Sequence, residues 1–280
     1  MKFNHRAMDT EFTVSFADGS DEDLKAAAAA AAFARIDELE LLLTRFNDTS
    51  DVAVIRGLDA GEVAVVARET MEVLMISFEV AAATQGAYDP TVKARNFGDL
   101  ILDVEHNRVS VKRSPVELDF GGIGKGYALD EVAKIFRSEQ FGLTNWLLDA
   151  GTSTLLADGS PDALGAGWPL GVGGVWKART RRPTVVKLVE GALSGSGFEI
   201  QGAHIIDPRT GEPAARWAQS WSRAKSAAVA DALSTAALSL ESAELRLAVD
   251  QLDAGVLVAC RQRPILDRFH DPLRAFGAFW

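Results

Sequence analysis

Four short stretches of the sequence combine residues able to handle phosphate, a metal ion or a proton. Leu118-Asp-Phe-Gly-Gly-Ile-Gly-Lys-Gly-Tyr-Ala-Leu-Asp130 runs from an extended segment through closely spaced glycines and a lysine into a helix start. Such glycines let backbone approach a ligand, and helix-start N–H groups favour phosphate. Lys125 adds a full positive charge. The spacing fits neither the P-loop nor the dinucleotide fingerprint, and a tight strand–helix turn with a solvated lysine accounts for the same residues. Ala230-Asp-Ala-Leu-Ser-Thr-Ala236 sets Asp231 and Thr235 four apart, on one helical face. A carboxylate and a hydroxyl stacked there offer two hard oxygen ligands for Mg²⁺; a helix cap or a local side-chain hydrogen bond uses them equally well.

His204-Ile-Ile-Asp-Pro-Arg-Thr-Gly211 reads as a strand ending in a turn. Asp207 and Pro208 follow the type I preference and need no function. His204 is either a general base or a satisfied strand-end histidine. In Gly86-Ala-Tyr-Asp-Pro-Thr-Val92, Asp89-Pro90 is a turn signal. None of the four stretches decides the chemistry alone.

The elements that must position them are legible in outline. Glu11–Ala17 alternates as a half-buried strand does. Asp21-Glu-Asp23 starts an Ala-rich helix extending to Phe46, with Ile36, Leu39, Leu43 and Phe46 on one face. Glu69–Thr84 forms a second amphipathic helix closed at Gly86. Strand-like runs follow at Arg108–Lys112, Val116–Phe120, Trp146–Leu148, Thr184–Val189 and Ala203–Ile206. Helices are expected from the Gly121–Gly126 turn through Phe136, over Ala228–Leu240 and over Ala243–Leu252. The Gly/Pro-rich stretch Gly159–Gly174 reads as a surface loop. Helices and strands do not alternate one for one, so the fold class is α+β rather than a doubly wound parallel sheet.

Composition narrows the classes. Of the 280 residues 48% are hydrophobic and 24% charged, which is globular, and the net charge of −10 argues against a nucleic-acid partner. Such a surface weakly repels anionic ligands, so a site for a phosphate-bearing ligand needs local positive charge or a metal. Cys260 is the sole cysteine, in the apolar run from Gly255, so no intrachain disulfide forms and strand packing is its expected role. Met1–Met8 lacks an apolar signal core and a lipidatable cysteine, and no run reaches the ~18 apolar residues of a membrane helix. The chain reads as cytoplasmic, unless a leader was removed before the numbering begins.

The order of the motifs carries more than any one of them. Met8-Asp-Thr10, Leu42-Leu-Thr-Arg-Phe46, Gly86–Val92, Leu118–Asp130, His204–Gly211 and Ala230–Thr235 resemble the successive signatures of the ApbE family. The usual forms are M-G-T, L-x-S-R-F, G-x-F-D-P-T-V, D-L-G-G-I-A-K-G-Y-A-x-D, H-I-I-D-P-x-T-G and A-D-A-x-x-T. The resemblance spans residue 8 to about 240. It implies one ApbE-like domain over residues 1–280, with a T-fold-like α+β architecture of mixed and antiparallel sheets, packed helices and a flavin cleft. It further implies an FAD:protein FMN transferase that joins FMN from FAD to a threonine or serine hydroxyl of an acceptor flavoprotein, releasing AMP. Met8, Phe46, Ala87, Tyr88, Asp89, Asp119, Lys125 and Ile205 would line the flavin nucleotide. Gly122, through its carbonyl, with Asp231 and Thr235 would hold Mg²⁺, and His204 would be the base, with Asp231 beside it in the catalytic set.

Three departures stand out. Asp9 replaces the usual glycine, Gly151-Thr152 replaces a double glycine, and the connection from Val92 to Leu118 is shorter than the family's. The short connection leaves open a Mg²⁺-dependent FAD pyrophosphatase, in which water replaces the acceptor. A non-catalytic flavin carrier is the third alternative; keeping His204, Asp231 and Thr235 together argues against it.

Overall fold

The computed structural model describes residues 1–17, 19–91, 95–151, 153–172, 184–197, 205–214, 216–259 and 266–269. Its centre is an antiparallel sheet of eight strands: β1 (Lys2–Ala7), β2 (Thr10–Phe16), β6 (Trp146–Ala150), β7 (Thr154–Asp158), β10 (Glu190–Gly197), β11 (Gln219–Ala224), β12 (Gly255–Ala259) and β13 (Leu266–Phe269), in that spatial order. Alternation assigns the two faces. Leu148, Leu156, Ala192, Val256 and Val258 point into the main core. Their neighbours Leu147, Leu155, Leu193 and Leu257 point the other way, against Trp168, Leu170, Val186 and Leu188 of a hairpin formed by β8 (Trp168–Val172) and β9 (Thr184–Leu188).

On the main-core side lie α1 (Glu22–Leu43), α3 (Arg68–Ala83), α4 (Gly124–Arg137), α5 (Ala227–Ala237) and α6 (Ser242–Gln251). α4 packs on α1 and α5, and α5 packs on β10 and β11. The Asp21 side chain accepts from Asp23 N–H to cap α1, whose Ala28, Ala29, Ala32, Ile36, Leu39 and Leu43 are buried. A short α2 (Asp51–Arg56) and a small sheet in the order β3 (Val63–Val65), β5 (Arg108–Val111), β4 (Leu100–Asp103) lie beside them. The α+β class is borne out. Among the described residues no helix is long and apolar enough to cross a membrane.

The differences from the sequence reading have local causes. α1 stops at Leu43, where Thr44 turns extended, so Phe46 leaves the buried face and is 84% exposed. Val116–Phe120 alternates like a strand but joins no ladder; Asp119 N–H donates instead to the Pro90 carbonyl. The stretch read as a surface loop contains β8, whose Pro169 is tolerated in a two-stranded ribbon. Of Ala203–Ile206, only Ile205 and Ile206 are described, and Ile206 makes an isolated bridge to Pro213. Val92, Thr152, His204 and Cys260 lie outside the described residues.

Candidate active site

The glycine-rich turn is built as a cradle before α4. Phe120 and Ile123 are buried and anchor it. Gly124 N–H returns to the Phe120 carbonyl at 2.7 Å, and Asp119 Oδ1 accepts from Gly121 N–H at 2.9 Å. Lys125 Nζ donates to the Gly121 carbonyl at 2.8 Å, which folds its charge back over the turn.

Facing the turn is α5. Asp231 is only 2% exposed, and both carboxylate oxygens are engaged: Oδ2 accepts from Gly126 N–H at 3.1 Å, Oδ1 from the hydroxyls of Ser153 at 3.1 Å and Ser194 at 3.3 Å. Thr235, one turn on, has its hydroxyl 3.4 Å from both the Asp231 carbonyl and Ser196 Oγ. Ser234 joins the same hydroxyl cluster through Ser194 and Ser196. A Cβ on Gly122 would sit 3.4 Å from Thr235 Oγ1 and 3.8 Å from the Tyr88 ring, in ordinary van der Waals contact, so the turn lies directly against this helix.

Tyr88 and Ala87 are buried behind that contact. Burial drives the Tyr88 phenol well above its ordinary range, and the charges of Asp231, Asp119 and Asp89 push the same way; the Ser77 hydroxyl opposes them, although neither oxygen meets hydrogen-bond geometry. Asp89 Oδ1 is taken by its own turn, accepting from Thr91 N–H at 2.7 Å and Thr91 Oγ1 at 2.6 Å.

Other candidates stand on neighbouring elements. Met8 and Asp9 are the two central residues of the β1–β2 hairpin, with φ of 48° and 56°. Two left-handed residues make a type I′ turn, and aspartate tolerates that backbone better than most side chains. Met8 N–H donates to Glu40 Oε1 of α1 at 2.9 Å. Phe46 carries the Arg45 guanidinium 4.8 Å from its ring centroid, and Arg45 Nη1 lies 3.3 Å from Asp119 Oδ2. The Ile205 carbonyl accepts from Ala214 N–H at 2.9 Å. Two residues on, Asp207 is clamped by Arg209, which also reaches Glu244 and the Ser239 carbonyl. Burial alone would raise the Asp207 carboxyl, but the Arg209 bonds outweigh it and hold it low. A cavity of about 370 Å³ lies beside this turn, between Asp207, Pro213, Arg216 and Ser239; neither Asp231 nor Thr235 forms its wall.

Contacts therefore bring together Asp119, Gly122, Lys125, Tyr88, Asp231 and Thr235. Met8 is tied to α1, and Ile205 to the turn that follows it. Ser153, Ser194, Ser196 and Arg45 are not among the residues singled out from the sequence, and Gly126 is read there only as part of the turn. Arg45 sits inside a motif that is singled out, whereas the serines converge only through strand pairing.

The donor set is compatible with a hard cation. A buried carboxylate, an adjacent hydroxyl and a close-approaching glycine backbone are all oxygen donors, leaving room for water and phosphate as Mg²⁺ prefers. Among the described residues no three His, Cys, Asp or Glu side chains converge, so the nitrogen- and sulfur-rich pattern of zinc is not what these residues form.

Fold and site together define an α+β protein in which a glycine turn is pressed against a buried aspartate–threonine pair. The chain belongs to the ApbE family, whose sequence profile it matches over residues 8–96 and 92–258. No curated protein matches it. Among solved structures it is similar to the flavin transferase ApbE from Vibrio cholerae, with TM-score 0.83, 17% identity and 97% of each chain covered. It is also similar to the apo form of Pseudomonas stutzeri flavinyl transferase ApbE, with TM-score 0.86, 22% identity, and 100% of this chain and 97% of that one covered. The ApbE protein of Thermotoga maritima aligns with TM-score 0.78 and 23% identity over 96% of each chain. At these identities the likeness establishes the fold.

Proposed function

We propose that this chain is a Mg²⁺-dependent FAD:protein FMN transferase acting as one domain, with a threonine or serine of a flavoprotein as acceptor. The observation that carries the reading is the convergence of Gly122, Asp231 and Thr235, contributed by two distant motifs, on one patch of oxygen donors. Family membership and the flavin transferases that share the fold support the substrate class.

The acceptor hydroxyl oxygen bonds to the FMN-side phosphorus of FAD, the bond from that phosphorus to the AMP oxygen breaks, and the hydroxyl proton passes to a base. Bound Mg²⁺ would neutralise the pyrophosphate charge that repels the nucleophile. Gly122, Asp231 and Thr235 would hold it. Gly126 N–H, Ser153 and Ser194 orient the Asp231 carboxylate, as outer-shell partners of ligating carboxylates do. Lys125 places positive charge over the phosphate cradle, Phe46 offers an open aromatic face, and His204 is assigned as base. The buried Tyr88 and Ala87 form the floor.

FAD hydrolysis to FMN and AMP is the second reading, favoured by the short connection from Val92 to Leu118. Incubation with FAD, Mg²⁺ and a threonine-bearing acceptor peptide, followed by in-gel flavin fluorescence and AMP analysis, separates the readings. Fluorescent peptide with matching AMP supports transfer. Free FMN with every acceptor establishes hydrolysis, and intact FAD leaves a carrier. Asp231→Ala should abolish AMP release while FAD binding in EDTA changes little; undiminished turnover would remove Asp231 from the site.

A further inference from the structure

Asp130 closes the glycine-rich motif but has no part in the chemistry proposed above. Its carboxylate accepts from Ser226 Oγ at 2.6 Å, Ala227 N–H at 2.7 Å and Ala228 N–H at 2.9 Å. These are the cap side chain and the first two amides of α5. Ser226 Oγ in turn accepts from Val229 N–H. One carboxylate on α4 and one hydroxyl thus satisfy the free amides that open α5, and the negative charge lies at the favourable end of the helix dipole.

A second contact lies one turn back along α4. A Cβ on Gly126 would fall 2.2 Å from the Ala227 carbonyl oxygen, so only glycine lets the two backbones meet. From there Gly126 N–H reaches Asp231, one turn further along α5. Asp130 and Gly126, one turn apart on α4, both meet the first turn of α5 at Ala227 and Ala228, and Gly126 N–H also holds the Asp231 side chain from one turn on. Together these ties fix α5 against α4 in rotation and in axial position.

We propose that Asp130 is a positioning residue for the metal site, setting α5 against α4 so that Asp231 and Thr235 meet the Gly122 turn. The inference rests on the Mg²⁺ reading above. It is tested on the full chain with Mn²⁺ as probe, by electron paramagnetic resonance titration without nucleotide, alongside FAD titration in EDTA. Asp130→Asn should raise the Mn²⁺ Kd by roughly 10–100-fold, the usual cost of losing outer-shell support, while FAD affinity in EDTA and the thermal midpoint for a folded chain persist. A folded Asp130→Asn protein with wild-type Mn²⁺ affinity overturns the proposal and leaves the transferase reading intact. Wild-type protein that binds no Mn²⁺ overturns both. If Asp130→Asn does not fold, Ser226→Ala, which removes one of the three bonds, must weaken Mn²⁺ in the same direction; unchanged affinity there also overturns the proposal.

Discussion

Arg45 bridges two motifs that lie far apart in sequence: its guanidinium stacks over Phe46 and reaches Asp119 at 3.3 Å. Phe46 would otherwise be a free rotor at the end of α1, since its ring is almost wholly in solvent. The bridge ties the Arg45–Phe46 pair to Asp119, at the entry to the glycine turn. Half-exposed ion pairs and cation–π contacts contribute together about 1 kcal/mol, so Arg45→Met is expected to weaken FAD binding by roughly fivefold. A fluorescence titration with unchanged Kd would show that Phe46 needs no such support.

Lys125 presents a different balance, because its ammonium already serves the Gly121 carbonyl. Loss of a charged hydrogen bond to phosphate costs about 1.5–3 kcal/mol, so Lys125→Met should weaken FAD by about 10–100-fold. Riboflavin, which has no phosphate, should bind almost as before. Equal losses for the two ligands in parallel titrations would mean that the lysine holds the turn rather than the pyrophosphate.

His204→Asn addresses the base. A positioned general base contributes about 10²–10⁴-fold, and single-turnover transfer to a threonine peptide should slow by that factor with FAD and Mg²⁺ affinities retained. The wild-type rate should fall below about pH 6.5, where an ordinary imidazole gains its proton and can accept no other. A mutant with the wild-type rate and pH profile would relieve His204 of the role.

Stability against pH has a separate handle in Asp149, opposite Thr13 in the β2–β6 ladder. Burial raises its carboxyl from the usual 3.8 to about 6; Glu11 pushes the same way, and Gly151 N–H and Lys2 only partly oppose them. A folded-state value above the unfolded one means that the folded chain holds this proton more tightly. The group therefore favours folding at low pH, and that contribution is lost as pH rises from about 4 through about 6. Asp149→Asn, neutral throughout, is expected to raise Tm at pH 8 and to leave it nearly unchanged at pH 4. A uniform shift at both values, followed by circular dichroism, would contradict this.

Much of this site could be read from the chain itself, and the limits are physical. Periodicity marks α3, which buries one face, and the glycine-rich turn marks the start of α4; α5, buried almost all round, shows as a run of alanines rather than as a stripe. Periodicity extends α1 to Phe46 because an aromatic at the right spacing looks like core whether or not the helix continues. The short α2 offers too few turns to show a period. β8 was hidden by Gly171 and Pro169, which a two-stranded ribbon accepts and a central strand would not. Asp231 and Thr235 were legible as a pair four apart. Ser153, Ser194 and Ser196 were not, since nothing local distinguishes a serine that meets Asp231 from one that meets water. Asp9 stands where the family's motif has glycine, and its φ of 56° is the left-handed backbone that glycine favours.

The strand order has a bearing on when the site comes into being. β2 pairs with β6, joining Phe12 to Ala150, and α5 follows only after β10 and β11 have been laid down. Pairings of such sequence separation form slowly. During synthesis the cradle at Gly121–Gly126 emerges well before Asp231, so a growing chain holds the phosphate-facing half without its carboxylate. On the proposed reading the site is complete only once α5 has been made, in the last fifth of the 280 residues, and a product truncated before α5 should neither transfer nor hydrolyse the flavin nucleotide.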